Sequence, residues 1–174
     1  MSSTVILDDV IHRDSLKSLQ SDNIKALQAH NDNTGKTNFN EKWYSLNEDH
    51  LFKDICTSFL QLANSYFDLS SCIGYEFWTQ NNTRPSRRHL DKDQQLLEEK
   101  GIYSFPLCSI IYYIFVDENL VGGKLDIEDD IIITPKTNRM IIFPPGRYHY
   151  VQPFQGQRVS LLINPWNKTL NNST

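Results

Sequence analysis

The sequence predicts an α+β fold, with N-terminal helices buttressing a C-terminal antiparallel β-sandwich or barrel. Three observations predict it. Before about residue 72, apolar residues recur at helical spacing. After it, β-branched and aromatic residues gather in short runs such as "PLCSIIYYIFV" (106–116) and "RVSLLINPW" (158–166). Turn formers separate those runs at near-regular intervals: Gly122-Gly123, Pro144-Pro145-Gly146 and Gln155-Gly156-Gln157.

Taken in order, "STVILDDVI" (3–11) reads as a short edge strand. Leu16, Leu19, Ile24 and Leu27 place a helix over 15–29, and the polar, turn-rich stretch 30–42 reads as a loop. A stronger helix spans 47–67, with Asn47 as N-cap and Leu51, Ile55, Phe59 and Leu62 on one face. Strands follow in "CIGYEFWTQ" (72–80), "KLDIEDDIIITPK" (124–136) and "NRMIIFPP" (138–145). The acidic run 126–130 reads as a charged, exposed strand end, and the tail 167–174 as disordered.

The chain's 174 residues suit one domain, and 39% hydrophobic content suffices for a core. A net charge of −4 disfavours nucleic acid as the main partner. Cys56, Cys72 and Cys108 form no CxxC pair, which argues against a disulfide framework or zinc cluster. The N-terminus lacks the basic start and apolar run of a signal peptide, and no stretch is long and apolar enough to span a bilayer. A soluble, cytoplasmic protein with no membrane partner is expected.

The chemistry-bearing stretch is "RRHLDKD" (87–93). On a strand, residues two apart share a face, so His89 and Asp91 project together as two ligands of one metal would. A third ligand must come from elsewhere. His12, His30 and His50 lie in the helical or loop-like third; His149 lies among strands, after the Pro-Pro-Gly turn. Two histidines and a carboxylate match the facial triad of non-haem Fe(II) oxygenases. Nine residues beyond His149, Arg158 stands on an otherwise apolar strand with Ser160 two further on. A buried arginine needs a carboxylate or phosphate, and a bound dicarboxylate supplies one.

The ordered set His89-x-Asp91, Gly122-Gly123, His149 and Arg158-x-Ser160 resembles the 2-oxoglutarate/Fe(II)-dependent dioxygenases. It is most similar to their small prolyl-hydroxylase-like branch, and similar also to small phage-encoded oxygenases. The stretches "SIIYYIFVDENLVGGKLDI" (109–127) and "IIFPPGRYHYVQPFQGQRVSLLINPW" (141–166) carry the likeness, which covers about 73–166. It implies a double-stranded β-helix, or jelly roll, as the core of a single oxygenase domain over 1–174. It implies Fe(II) on His89, Asp91 and His149, with no catalytic residue beyond these ligands. Arg158 would hold the distal carboxylate of 2-oxoglutarate, with Ser160 and Tyr113 as hydroxyl donors and Ile111, Leu125 and Val151 as the apolar wall. Trp78 stands near where the family often has a tyrosine, so one cosubstrate contact differs. The implied activity uses O2 and 2-oxoglutarate, with ascorbate as an accessory, to hydroxylate a C–H bond with release of succinate and CO2.

The favoured substrate by this likeness is a prolyl residue in a protein or peptide. A free amino acid or other small molecule is the alternative. A non-catalytic, metal-binding jelly roll is less favoured, because the triad and Arg158 are intact. Arg147, two residues before His149, is the first candidate for substrate docking. Arg84 and Arg88 join it in a positive rim; singly, Arg84, Arg87 and Arg88 read as a solvated loop. The stretch 79–88 reads as a long, peptide-gripping flap. Asp93 reads as a rim residue on the metal-facing side, and Tyr112 as packing opposite Tyr113.

Overall fold

The computed structural model describes residues 3–21, 42–82, 85–128 and 130–170. Its chain order is β1 (Val5–Asp8), helix α1 (13–21), β2 (Lys42–Ser45), α2 (Lys53–Ala63), β3 (Gly74–Asn82) and α3 (Gln94–Lys100). Eight strands follow: β4 (Ser109–Val116), β5 (Val121–Gly122), β6 (Leu125–Ile127), β7 (Ile131–Ile133), β8 (Arg139–Phe143), β9 (His149–Val151), β10 (Phe154–Gln155) and β11 (Arg158–Trp166). They form a six-stranded sheet, β1-β8-β4-β11-β3-β2, a three-stranded sheet, β7-β6-β9, and the pair β10-β5. This is the jelly roll, with helices packed on the outer face of the larger sheet.

Alternation along the long strands builds two cores. In β4, Ile110, Tyr112 and Ile114 join one cluster, while Ile111 and Tyr113 join the other. In β11, Val159, Leu161 and Ile163 join the first and Leu162 the second. The first cluster is sealed by α2, whose buried Cys56, Phe59, Leu60 and Ala63 recur at one-turn spacing. The Phe59 ring lies 4.7 Å from that of Tyr112. The second cluster fills the space between the two main sheets, with Leu125, Ile127 and Val151 facing it from β6 and β9. The Gly-Gly turn is required by backbone shape: Gly122 has φ +82°, and a Cβ there would stand 2.3 Å from the Pro153 carbonyl oxygen.

Several local expectations change. The second helix begins at Lys53, not Asn47, and the N-cap position is Phe52, with no side-chain cap. Of the predicted 15–29 helix only residues 15–21 are described, and the helix begins earlier, at residue 13. The expected flap at 79–88 is partly strand, because β3 continues to Asn82 in register with Arg158 of β11. The tail is not wholly free: Leu170 is buried, and Lys168 Nζ donates to Asp93 Oδ2 at 2.6 Å. All three cysteines are free thiols; Cys56 and Cys108 are buried and Cys72 is half-buried, with burial pushing Cys108 up to about 12. Among the described residues, no helix is long and apolar enough to cross a membrane.

Candidate metal centre

His89 is not part of a strand. It forms a single antiparallel bridge with His149, the first residue of β9, through His89 N–H to His149 O (3.0 Å) and His149 N–H to His89 O (2.9 Å). This backbone clasp sets the two imidazoles side by side, with ring centroids 4.3 Å apart. Asp91 enters from the same turn. Its Oδ1 lies 3.8 Å from His89 Nε2 and 3.7 Å from His149 Nε2. The three ligand atoms fall within 4.8 Å of one another.

The surrounding groups orient all three. His89 Nδ1 meets the Arg87 carbonyl at 2.7 Å, and His149 Nδ1 meets the Arg147 carbonyl at 3.1 Å. A carbonyl only accepts, so each Nδ1 carries the proton and each Nε2 presents its lone pair to the cluster. Ser109 Oγ donates to Asp91 Oδ2 at 2.6 Å, which leaves Oδ1 for the shared point. Burial holds the His149 pKa below the usual imidazole value, against the raising pull of Asp91, and His89 adds to the lowering. The neutral, ligating form is therefore favoured.

The other histidines are elsewhere. His12 is exposed beside Asp14. His50 stacks on Tyr44 and hydrogen-bonds the Tyr75 hydroxyl at 2.8 Å, beside the outer core. His30 and Arg84 lie outside the described residues. Asp93 is not a rim residue: its side chain caps α3 by accepting from Leu96 N at 2.9 Å and pairs with Lys168.

A narrow cleft runs from the histidines into the second core. Ile111, Tyr113, Leu125, Val151, Arg158 and Ser160 line it, together with Gln80, Ser86 and Leu162, which sequence reasoning did not name. Arg158 is 3% exposed. Its Nη1 reaches the Tyr113 hydroxyl only at 3.4 Å, its guanidinium lies over the Tyr113 and Phe154 rings, and its Nε has no partner among the described residues. No carboxylate among the described residues pairs with it, and burial lowers its pKa. A buried cation without a counter-charge is costly, so the cleft is built to receive an anion.

Trp78 does not line that cleft. Its register partner on β11 is Leu162, and it faces a second, wider cavity of about 340 Å³ that reaches His89 and Asp91 from the other side. Of the rim arginines, Arg88 pairs with Glu128 and lies over the Tyr148 ring, beside a separate hollow. Arg147 contributes its carbonyl to His149, and its side chain lines neither space. Ser109 had a readable signal, since it is on the Ile111–Tyr113 face of β4; Gln80 had none, since it reaches the cleft through its long-range register with Ser160.

With this geometry in view, solved structures supply the comparison. A prolyl-4-hydroxylase of Pseudomonas putida superposes with TM-score 0.68 at 15% identity, over 97% of this chain and 95% of that one. The fold is that of the prolyl hydroxylases. A viral collagen prolyl hydroxylase from Paramecium bursaria Chlorella virus-1, in complex with 2-oxoglutarate, gives 0.61 at 16% identity, over 93% and 94%. A prolyl hydroxylase from Trichoplax adhaerens, in complex with a hypoxia inducible factor peptide fragment, gives 0.63 at 11% identity, over 96% and 84%. No protein-family model and no curated protein matches the sequence.

Proposed function

We propose that this protein is a 2-oxoglutarate- and Fe(II)-dependent dioxygenase that hydroxylates a C–H bond, with a prolyl residue of a protein or peptide as the favoured substrate. The carrying observation is Arg158, buried and with no carboxylate partner among the described residues, in the same cleft as His89 and His149. Two imidazoles and one carboxylate suit Fe(II), and a guanidinium with no carboxylate partner among the described residues suits the distal carboxylate of a dicarboxylic acid. The similar solved structures include one with 2-oxoglutarate and one with a peptide fragment, which supports both the cosubstrate and a peptide-like substrate.

When bound, the iron and 2-oxoglutarate supply the oxidation: O2 is consumed, 2-oxoglutarate leaves as succinate and CO2, and one oxygen atom enters the substrate C–H bond. The chain's own residues do the rest. His89, Asp91 and His149 would hold the metal. Ser109 fixes the Asp91 carboxylate. Arg158 and Tyr113 grip the far end of the cosubstrate, with Ser160 beside them. Ile111, Leu125, Val151 and Leu162 keep water from that end. The cleft has about 20 Å³ free, room for about one water.

Arg147, just before β9, is assigned to substrate docking, with Arg88, which pairs with Glu128, as a further rim charge. Succinate release should be compared for proline-containing peptides, extract proteins and free amino acids, each with wild type and Arg147→Ala. Stimulation by peptides, weakened in the variant, supports the reading. Stimulation by free amino acids alone replaces the peptide with a small-molecule substrate.

A further inference from the structure

Two spaces reach the metal cluster. The narrow cleft that holds Arg158 and the wider cavity of about 340 Å³ share Gln80 and His89 in their walls, and the cavity also holds Asp91. With a cosubstrate in the cleft, a substrate C–H bond comes to the metal from the cavity. That volume is at the small end of the range for ligand sites, so a single compact group enters it.

The cavity lining is mostly polar or charged. Its apolar side chains are Trp78, on β3, and Leu90, between His89 and Asp91 in the chain. Trp78 is half-buried: it packs against the second core, with Leu162 as its register partner, and also lines the cavity. It has no part in the cleft of Arg158. Leu90 is half-buried as well. A carbon brought to His89 and Asp91 is therefore brought to Leu90, and the apolar surface of the substrate is buried against these two side chains.

Indole chemistry narrows the choice. The face of an indole carries partial negative charge, so it attracts C–H groups polarised by a neighbouring amide nitrogen. The pyrrolidine ring of a prolyl residue has such C–H groups and gives up almost no rotamer freedom when held. An open aliphatic side chain gives up more and lacks the adjoining nitrogen.

We infer that Trp78 is the residue that determines substrate specificity, its indole packing against a pyrrolidine ring held between it and Leu90. This rests on the oxygenase reading above and assigns a named side chain to the choice of a prolyl unit.

The protein loaded with Fe(II) and 2-oxoglutarate is assayed for succinate release. The probes are a pool of end-blocked peptides with one central proline and randomised neighbours, matched pools with N-methylalanine or alanine at the centre, and free L-proline. A proline probe stimulates release. N-methylalanine keeps the tertiary amide but opens the ring, and it removes most of the stimulation. Trp78→Leu keeps apolar area but loses the ring face, so it raises the apparent Michaelis constant for the proline probe about twofold to tenfold, the scale of a stacking contact. Trp78→Tyr restores most of that loss. The affinity for 2-oxoglutarate, read from the Fe(II)–2-oxoglutarate absorption band, is the same in all three proteins. The N-methylalanine comparison needs no variant, so the inference remains open to refutation should Trp78→Leu fail to fold. The peptide and free L-proline arms identify the source of the ring. Equal stimulation by the ringless pools, an unchanged Michaelis constant in Trp78→Leu, or a fall in 2-oxoglutarate affinity in that variant overturns the inference. So does the absence of stimulation by every proline probe while the absorption band forms. Absence of that band overturns the oxygenase reading itself.

Discussion

Replacing Arg158 by alanine separates cosubstrate binding from metal binding. The guanidinium is 3% exposed and shares no atom with the metal cluster, so iron should bind the variant as it binds wild type. Truncating one partner of a buried charged pair costs roughly 2–5 kcal/mol, or about 30-fold to several thousand-fold in affinity at 1.4 kcal/mol per decade. The lower end is expected here, because Tyr113 and Ser160 still line the cleft in the variant. The assay is an anaerobic titration of 2-oxoglutarate into the Fe(II) protein, followed by the visible charge-transfer band. Arg158→Lys should recover part of the loss, since an ammonium lacks the planar fork. The variant without cosubstrate should lose little thermal stability, because the cation it deletes has no acidic partner among the described residues. Unchanged 2-oxoglutarate dependence in Arg158→Ala would refute the assignment.

Other expectations concern the metal and the sheet edge. His149→Ala should abolish the charge-transfer band while His50→Ala keeps it; the reverse would unseat His149 as the third ligand. Ser109→Ala removes the donor that orients Asp91, so Fe(II) affinity should fall roughly 10–100-fold, read by metal titration; an unchanged affinity would show that Ser109 does not position the carboxylate. Arg139 and Lys136 hold the Asp8 carboxyl down at about 2, with the Arg139 hydrogen bond the largest cause. Because the folded value is lowered, this stabilisation is complete above the ordinary carboxylate range and is lost as pH falls toward 2. The melting-temperature gap between wild type and Asp8→Asn should therefore be widest above pH 5 and close on acidification; a gap independent of pH would contradict the linkage.

The parts that were legible in the sequence share a physical cause. In β4 and β11 both faces are buried, so alternation sorts Tyr112 from Tyr113 without knowledge of the partner strand. His89 and Asp91 stay together because two-residue spacing survives even where the strand shrinks to one bridge. Helix α3 was missed because none of its residues is buried, so it carries no apolar periodicity; its markers are Asp93 as cap and Gly101 at φ +67°. Capping also explains Asp93, since a cap side chain turns back to its own helix rather than following strand alternation. Trp78 was placed beside the cosubstrate because its position in the larger sheet depends on register with β11, a pairing of residues distant in sequence.

The parity of the central strands bears on how such a protein can change. On β11 and β3, even-numbered positions face the chemistry and odd-numbered positions face the helix-covered core; on β4 the parity is reversed. Selection for a new substrate can act on Glu76, Trp78 and Asn164 while Tyr75, Phe77 and Ile163 keep the chain folded. A saturation scan should then separate into two interleaved combs along each strand. One comb loses protein abundance when substituted; the other keeps abundance and alters which molecule is oxidised.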